Sequence, residues 1–235
     1  MNRGAADLRI SVIIPTWRDT ENLARLLAAL GRCERIAEVI VVDASGDLLP
    51  EKLAPSPGVK FLKAAKPNRG AQLNLGAAAS TGEVLLFQHC DTTLGRPHLD
   101  ALMSALADPE IIGGAFYRTF DSKHAHMRWL ATPARLLNKH GGTLYGDQSV
   151  FVRSEVFRRL GGFEEIPLME DVEFSRRLRA AGRIVVLDPP VESSARRHLQ
   201  KGPYRTTLQN GLFIALYKFG VSPHTLHRWY YGVLA

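Results

Sequence analysis

The chain has 235 residues, of which 46% are hydrophobic and 23% charged, and a formal net charge of +7. This suits one substantial α/β domain with a buried core and excludes a disordered or low-complexity chain. With two cysteines, Cys33 and Cys90, and a polar start, MNRGAADLR, neither a disulfide scaffold nor a secretory leader is expected, and the expected compartment is the cytoplasm.

The positive charge favours polyanionic partners, and Arg176, Arg177, Arg179, Arg183, Arg196, Arg197, Lys201 and Arg205 gather late in the chain. No run reaches the ~18 to 20 apolar residues that span a bilayer, although GLFIALYKFG is nearly apolar.

Short β-branched runs alternate with helical patterns in the first half, which predicts a parallel sheet built from crossover units. Ser11 to Ile14 reads as the first strand. Thr20 is placed to cap a helix with Leu23, Leu26, Leu27 and Leu30 on one face, stopped by Gly31. Val39 to Val42 and Val59 to Leu62 are the next strands, joined by the proline-bearing loop LLPEKLAPSPG. An Ala-rich helix follows from about Ala71, then a strand from Glu83 to Gln88. Pro97 opens a helix carrying Leu99, Leu102, Met103 and Leu106. GGAFYRTF and SVFVR are strand-like, and the polar, His-rich stretch between them, with HAHMRWL and NKHGGTLYGDQ, is expected to shape a cleft. A helix from Ser154, ended by Gly161 and Gly162, precedes FEEIPL and a second helix, MEDVEFSRRLRAAG, closing at Gly182.

Ligands of an open parallel sheet bind outside the carboxyl ends of its strands. Pro15, Thr16 and Trp17 follow the first strand, Asp43 the second and Asp91 the fourth. Asp43 in VVDASGD also suits an ordinary turn, and Asp91 in HCDTT an ordinary cap. His89, two residues before Asp91, makes a divalent-cation site the alternative. KPNRGAQLN sets Lys66 and Arg69 beside Gly70 at a helix start, with Gln72 and Asn74 in its first turns, an arrangement suited to phosphate oxygens. Neither a Walker-type loop nor G-x-G-x-x-G follows the first strand, which counts against P-loop and dinucleotide folds.

The ordered segments SVIIPTWRDTENL, VIVVDAS, KPNRGAQLNLGAAASTGEVLLFQHCDT, GDQSVFVR and GGFEEIPLMEDVEFSRRLRAAGR resemble the motifs of family 2 glycosyltransferases over residues 10 to 200. KPNRGAQLN, GDQ and PLMEDVEFSRRL are most similar to the bacterial subgroup associated with arsenosugar biosynthesis. The resemblance implies a GT-A fold: a Rossmann-like, mainly parallel sheet flanked by helices over residues 1–200, with a C-terminal helical appendage over 201–235. It implies a nucleoside-diphosphate sugar donor, such as a UDP-sugar, held by Pro15, Thr16 and Asp43 at base and ribose. Lys66, Arg69, Gln72, Asn74 and Arg197 would serve the donor's diphosphate end. Asp91 would be the retained aspartate of the family's D-x-D motif, holding Mg²⁺ or Mn²⁺. His89 stands where the first acid is usual, and Ala44 replaces the second acid often found after Asp43.

An inverting transfer needs a carboxylate to take the acceptor hydroxyl's proton. The family's acidic motif assigns this to Asp171, with Glu170 as its neighbour, although an acidic pair at a helix start also complements the helix dipole. Asp147 and Gln148 of GDQ fall on the acceptor side, and His198 is a further, weaker metal ligand. The tail TTLQNGLFIALYKFGVSPHTLHRWYYG mixes apolar residues with Lys218, Arg228, Trp229 and Tyr230, the blend of a packed helix or of one at a membrane or protein interface. Interfacial placement, at the inner face of a membrane, would admit a lipid as well as a small-molecule acceptor. The competing classes are a sugar-nucleotide nucleotidyltransferase, which SVIIPTWRD disfavours by lacking glycine, and a non-catalytic phosphate- or lipid-binding module. Nucleic acid is not an expected partner, because Asp43, Asp91 and Asp171 would repel its phosphates.

Overall fold

A computed structural model describes residues 8–232 apart from 32, 34, 47–52, 54–57, 122–134 and 137–140, together with the side chain of Arg197. HAHMRWL and most of the proline-bearing loop therefore lie outside the described residues. The chain runs β1 (Ile10–Thr16), α1 (Thr20–Leu30), β2 (Ile36–Asp43), β3 (Val59–Lys63), α2 (Arg69–Ala78), β4 (Val84–Phe87), α3 (Arg96–Leu106) and β5 (Ile111–Phe120). After a single 3-10 turn at Gly146–Gln148 come β6 (Phe151–Arg153), α4 (Ser154–Arg159), α5 (Glu170–Ala181) and β7 (Arg183–Ser193). Three helices end it, α6 (Arg196–Lys201), α7 (Pro203–Lys218) and α8 (Pro223–Tyr231).

One sheet holds the strands in the order β3-β2-β1-β4-β6-β5-β7. β1, β2, β3 and β4 are parallel, β6 is antiparallel to both neighbours, and β7 is parallel to β5. Side chains alternate across the pleat. Val12, Ile14 and Leu86 therefore meet α1 and α3 through Leu23, Leu27, Leu99 and Leu102. Ile13, Leu85 and Phe87 meet α2, α4 and α5 on the other face, through Leu73, Phe157 and Phe174.

Several expectations are corrected. β1 extends through Pro15 and Thr16, and Asp43 is the last residue of β2 rather than the first beyond it. Pro15 is tolerated there because β4 pairs with β1 only as far as Ile13. Asp19, not Thr20, is the N-cap of α1, with its carboxylate on the Asn22 amide. β4 is shorter than expected, Val84–Phe87, and the Gln88 side chain beyond it donates to the Thr92 carbonyl. β7 was not expected at all. The C-terminal helices begin at Arg196, and Phe213 of α7 and Leu226 of α8 bury against Met169 and Val172 at the start of α5.

Candidate functional site

The carboxyl ends of β1, β2 and β4 form one edge, with Thr16 and Asp43 as register partners. Asp43 takes the turn-forming role: one carboxylate oxygen accepts from Ser45 N and Oγ (3.1 and 2.7 Å), the other from Gly46 N (2.9 Å). Gln72 is buried and donates to the carbonyls of Thr16 (3.0 Å) and Val42 (2.8 Å), clamping the two strand ends together. It is therefore part of the floor of the edge and not of its open lining. Lys66 is exposed just ahead of α2.

The N-terminus of α2 is stitched to the loop that leads into α5. Asn68 caps α2 by accepting from Ala71 N (2.9 Å) and donates to the Glu165 carbonyl (3.0 Å). Asn74 donates to the Phe163 carbonyl and accepts from its N–H, both at 2.9 Å, so its amide is taken up in holding this loop. Gly70 sits so close to the Glu164 carbonyl oxygen that a Cβ would stand 2.4 Å from it. These contacts carry Arg69 to Glu170, with which it pairs directly. Burial opposes charge on the guanidinium, but Glu170 and Asp171 outweigh it and hold Arg69 firmly protonated.

Asp171 lies beside this pair. Its Oδ2 accepts from Gly146 N (2.8 Å) and its Oδ1 from Val172 N (2.8 Å). Burial, then the neighbouring Glu170 charge, push its carboxyl above the usual aspartate range. A Cβ on Gly146 would stand 2.8 Å from His89 Nε2 and 3.5 Å from Asp171 Oδ2, so the absent side chain lets the imidazole and carboxylate face one another. Burial and Arg69 push His89 down, leaving a neutral ring. Met169, which precedes the pair, holds a left-handed φ of 73° without being glycine, a strained conformation fixed by its burial against Phe213 and Leu226.

Asp147 pairs with Arg118 of β5, which outweighs the opposing effect of burial and lowers the carboxyl's pKa. Its second oxygen, Oδ1, is buried without a partner. Gln148 is buried and structural, donating to the Phe116 carbonyl (3.0 Å) and accepting from Tyr145 N (2.9 Å). Ser149 Oγ donates to Gln88 Oε1 (2.6 Å), tying this turn to the loop after β4. Sequence reasoning missed Arg118, Asn68 and Ser149; a lone Arg inside the apolar run GGAFYRTF was the available signal for the first.

Asp91 is exposed, and its carbonyl accepts from Ser194 N (3.0 Å). It opens onto a cleft of about 390 Å³ shared with Asn22, Glu192 and Arg196. His198 packs its ring on Phe120 at 4.7 Å. Arg197 lies in α6. Among the described residues no three His, Cys, Asp or Glu side chains converge to cage an ion. An exposed carboxylate in the loop after β4 fits instead a divalent ion that would take most of its ligands from a diphosphate and water.

The architecture is that of the GT-A glycosyltransferases. One similar fold is the mannosyltransferase PcManGT from Pyrobaculum calidifontis in complex with GDP-Man and Mn²⁺, at TM-score 0.65 and 20% identity, covering 97% of this chain and 70% of that one. Another is S. aureus TarS 1-349 in complex with UDP-GlcNAc, at TM-score 0.61 and 20% identity, covering 80% of this chain and 58% of that one. No curated protein sequence matches the chain. The profile of glycosyl transferase family 2 matches residues 11–159, and the chain belongs to that family.

Proposed function

We propose that the chain is an inverting glycosyltransferase that moves a sugar from a nucleoside diphosphate to an acceptor hydroxyl, with Asp171 as the base. The supporting observation is the environment of Asp171: a half-buried carboxylate with a raised pKa, fixed by two backbone N–H groups at a helix start beside the Glu170–Arg69 pair. A base must be oriented and basic enough to accept a proton as the new bond forms, and the two backbone contacts and the raised pKa support both requirements. PcManGT and TarS, which bind GDP-Man and UDP-GlcNAc, support a nucleotide-sugar donor.

In this reading the strand ends at Pro15, Thr16 and Asp43 receive the nucleoside. Arg69, with Lys66 and Arg197, directs positive field at the departing diphosphate. Gln72 and Asn74 hold the frame on which these groups stand. Asp91 would hold Mg²⁺ or Mn²⁺, which neutralises charge on the leaving diphosphate when bound. Glu170 fixes Arg69 and raises the basicity of Asp171, while Asp147 and Gln148 shape the acceptor side. KPNRGAQLN and PLMEDVEFSRRL support placement near the arsenosugar-associated subgroup.

The test is Asp171→Asn, assayed with the donor that a thermal-shift screen of UDP-, GDP- and dTDP-sugars with Mg²⁺ or Mn²⁺ selects. Turnover is expected to fall about 10² to 10⁴-fold with donor binding retained. Full turnover in the mutant would overturn the assignment, and Glu170→Gln distinguishes a base from its neighbour.

A further inference from the structure

The last 43 residues, 193–235, contain Arg196, Arg197, Lys201, Arg205, Lys218 and Arg228 and no Asp or Glu, so they hold six of the seven net positive charges. Residues 1–192 are nearly neutral, with 24 basic and 23 acidic side chains. The charge of this protein is therefore a property of its C-terminal helices.

α7 is apolar on two opposite faces. Phe213 and Thr206 are buried against the body of the protein. At about 100° per residue, Tyr204, Leu208, Leu212 and Phe219 fall within one arc of about 80° on the other side. Their exposures are 62, 75, 54 and 88%, so the stripe faces outward. On the same helical wheel, Arg205 borders one edge of the stripe and Lys218 the other. No helix among the described residues is long and apolar enough to span a membrane.

We propose that this stripe lies on an anionic lipid surface, with Tyr204, Leu208, Leu212 and Phe219 in the interface and the surrounding Arg and Lys at the headgroups. An apolar line bordered by cations, on a segment that itself carries no Asp or Glu, is the chemistry that binds such surfaces. A second copy of the chain is the poorer occupant, because pairing this face with itself would bring two cation-bordered surfaces together with no carboxylate of α6–α8 to neutralise them. The proposal does not depend on the donor chemistry, since donor binding is measured without lipid.

The test is co-flotation of the full chain with vesicles of phosphatidylcholine alone or mixed with phosphatidylglycerol. Binding to the mixed vesicles only, weakened by salt, is expected. Arg205→Gln with Lys218→Gln should weaken it about 30-fold, and Leu208→Gln with Phe219→Gln at least about tenfold, with unchanged thermal unfolding in both. No flotation, equal flotation with neutral vesicles, or a solution dimer abolished by Leu208→Gln with Phe219→Gln would each overturn the proposal.

Discussion

Asp171 and Glu170 share one helix start, and in the proposed mechanism their opposite duties are separated by pH. Burial and the Glu170 charge raise the Asp171 carboxyl, while Arg69 lowers it. A base works only when ionised, so the rate should fall on the acid side with an inflection above the ordinary aspartate value of 3.8. Glu170→Gln removes a like charge and frees Arg69 from its partner, and both changes favour the Asp171 anion. The inflection is therefore expected to move to lower pH, which a kcat profile of the two proteins checks; movement upward would contradict the arrangement. At the other end of the site, Asp91→Asn is expected to weaken Mn²⁺-dependent donor binding about tenfold or more while leaving metal-free nucleotide binding unchanged, by titration calorimetry. The motif residues were legible because they end or follow a strand or open a helix. Their partners were not: Arg69 and Glu170 are 101 positions apart, and only the folded chain brings α2 against the α5 loop.

α2 and α5 are joined without an intervening strand, through Asn68, Gly70 and Asn74 on the loop at 163–165. Gly70→Ala would set a methyl against the Glu164 carbonyl and force the loop outward. Overpacking of this kind costs about 1 to 3 kcal/mol, and here it also moves Glu170 and Asp171. Thermal unfolding should therefore show a modest loss and turnover a much larger one. α1 and α3 were readable because Leu23, Leu26, Leu27 and Leu30, and Leu99, Leu102, Met103 and Leu106, repeat at helical spacing and are all buried. β7 was hidden because RIVVLDPPVES carries two prolines and mixed polarity, which an edge strand tolerates and a central strand does not. Thr20 misled because its neighbour Asp19 is an equally good cap type.

Far from the site, the amino end of the sheet carries a separate polar knot. Glu38 is buried and accepts from Ser11 Oγ (2.7 Å), Thr81 N and Oγ1 (2.6 and 2.9 Å) and Lys60 Nζ (2.6 Å), joining β1, β2, β3 and the α2–β4 connection. Burial alone would raise its carboxyl, but these donors together lower it to about 2. A carboxylate lowered in the fold stabilises it above its unfolded value, so this contribution is complete above about pH 4.5 and lost as pH falls towards about 2. Denaturant titrations are expected to show Glu38→Gln less stable by about 1 to 3 kcal/mol at neutral pH, with a smaller difference in acid. A constant difference across that range would contradict the ionised knot.

The packing of α7 and α8 on Met169 also limits how this enzyme can be taken apart or recombined. A fragment cut at residue 159 keeps everything that the family profile recognises and loses the acid pair. One cut at residue 200 keeps the pair but bares Met169 and Val172, and leaves the left-handed residue ahead of Glu170 without the aromatic wall that holds it. Moving the acidic loop between relatives would accordingly mean transplanting it with the C-terminal helices as one cassette, since neither half carries its own scaffold.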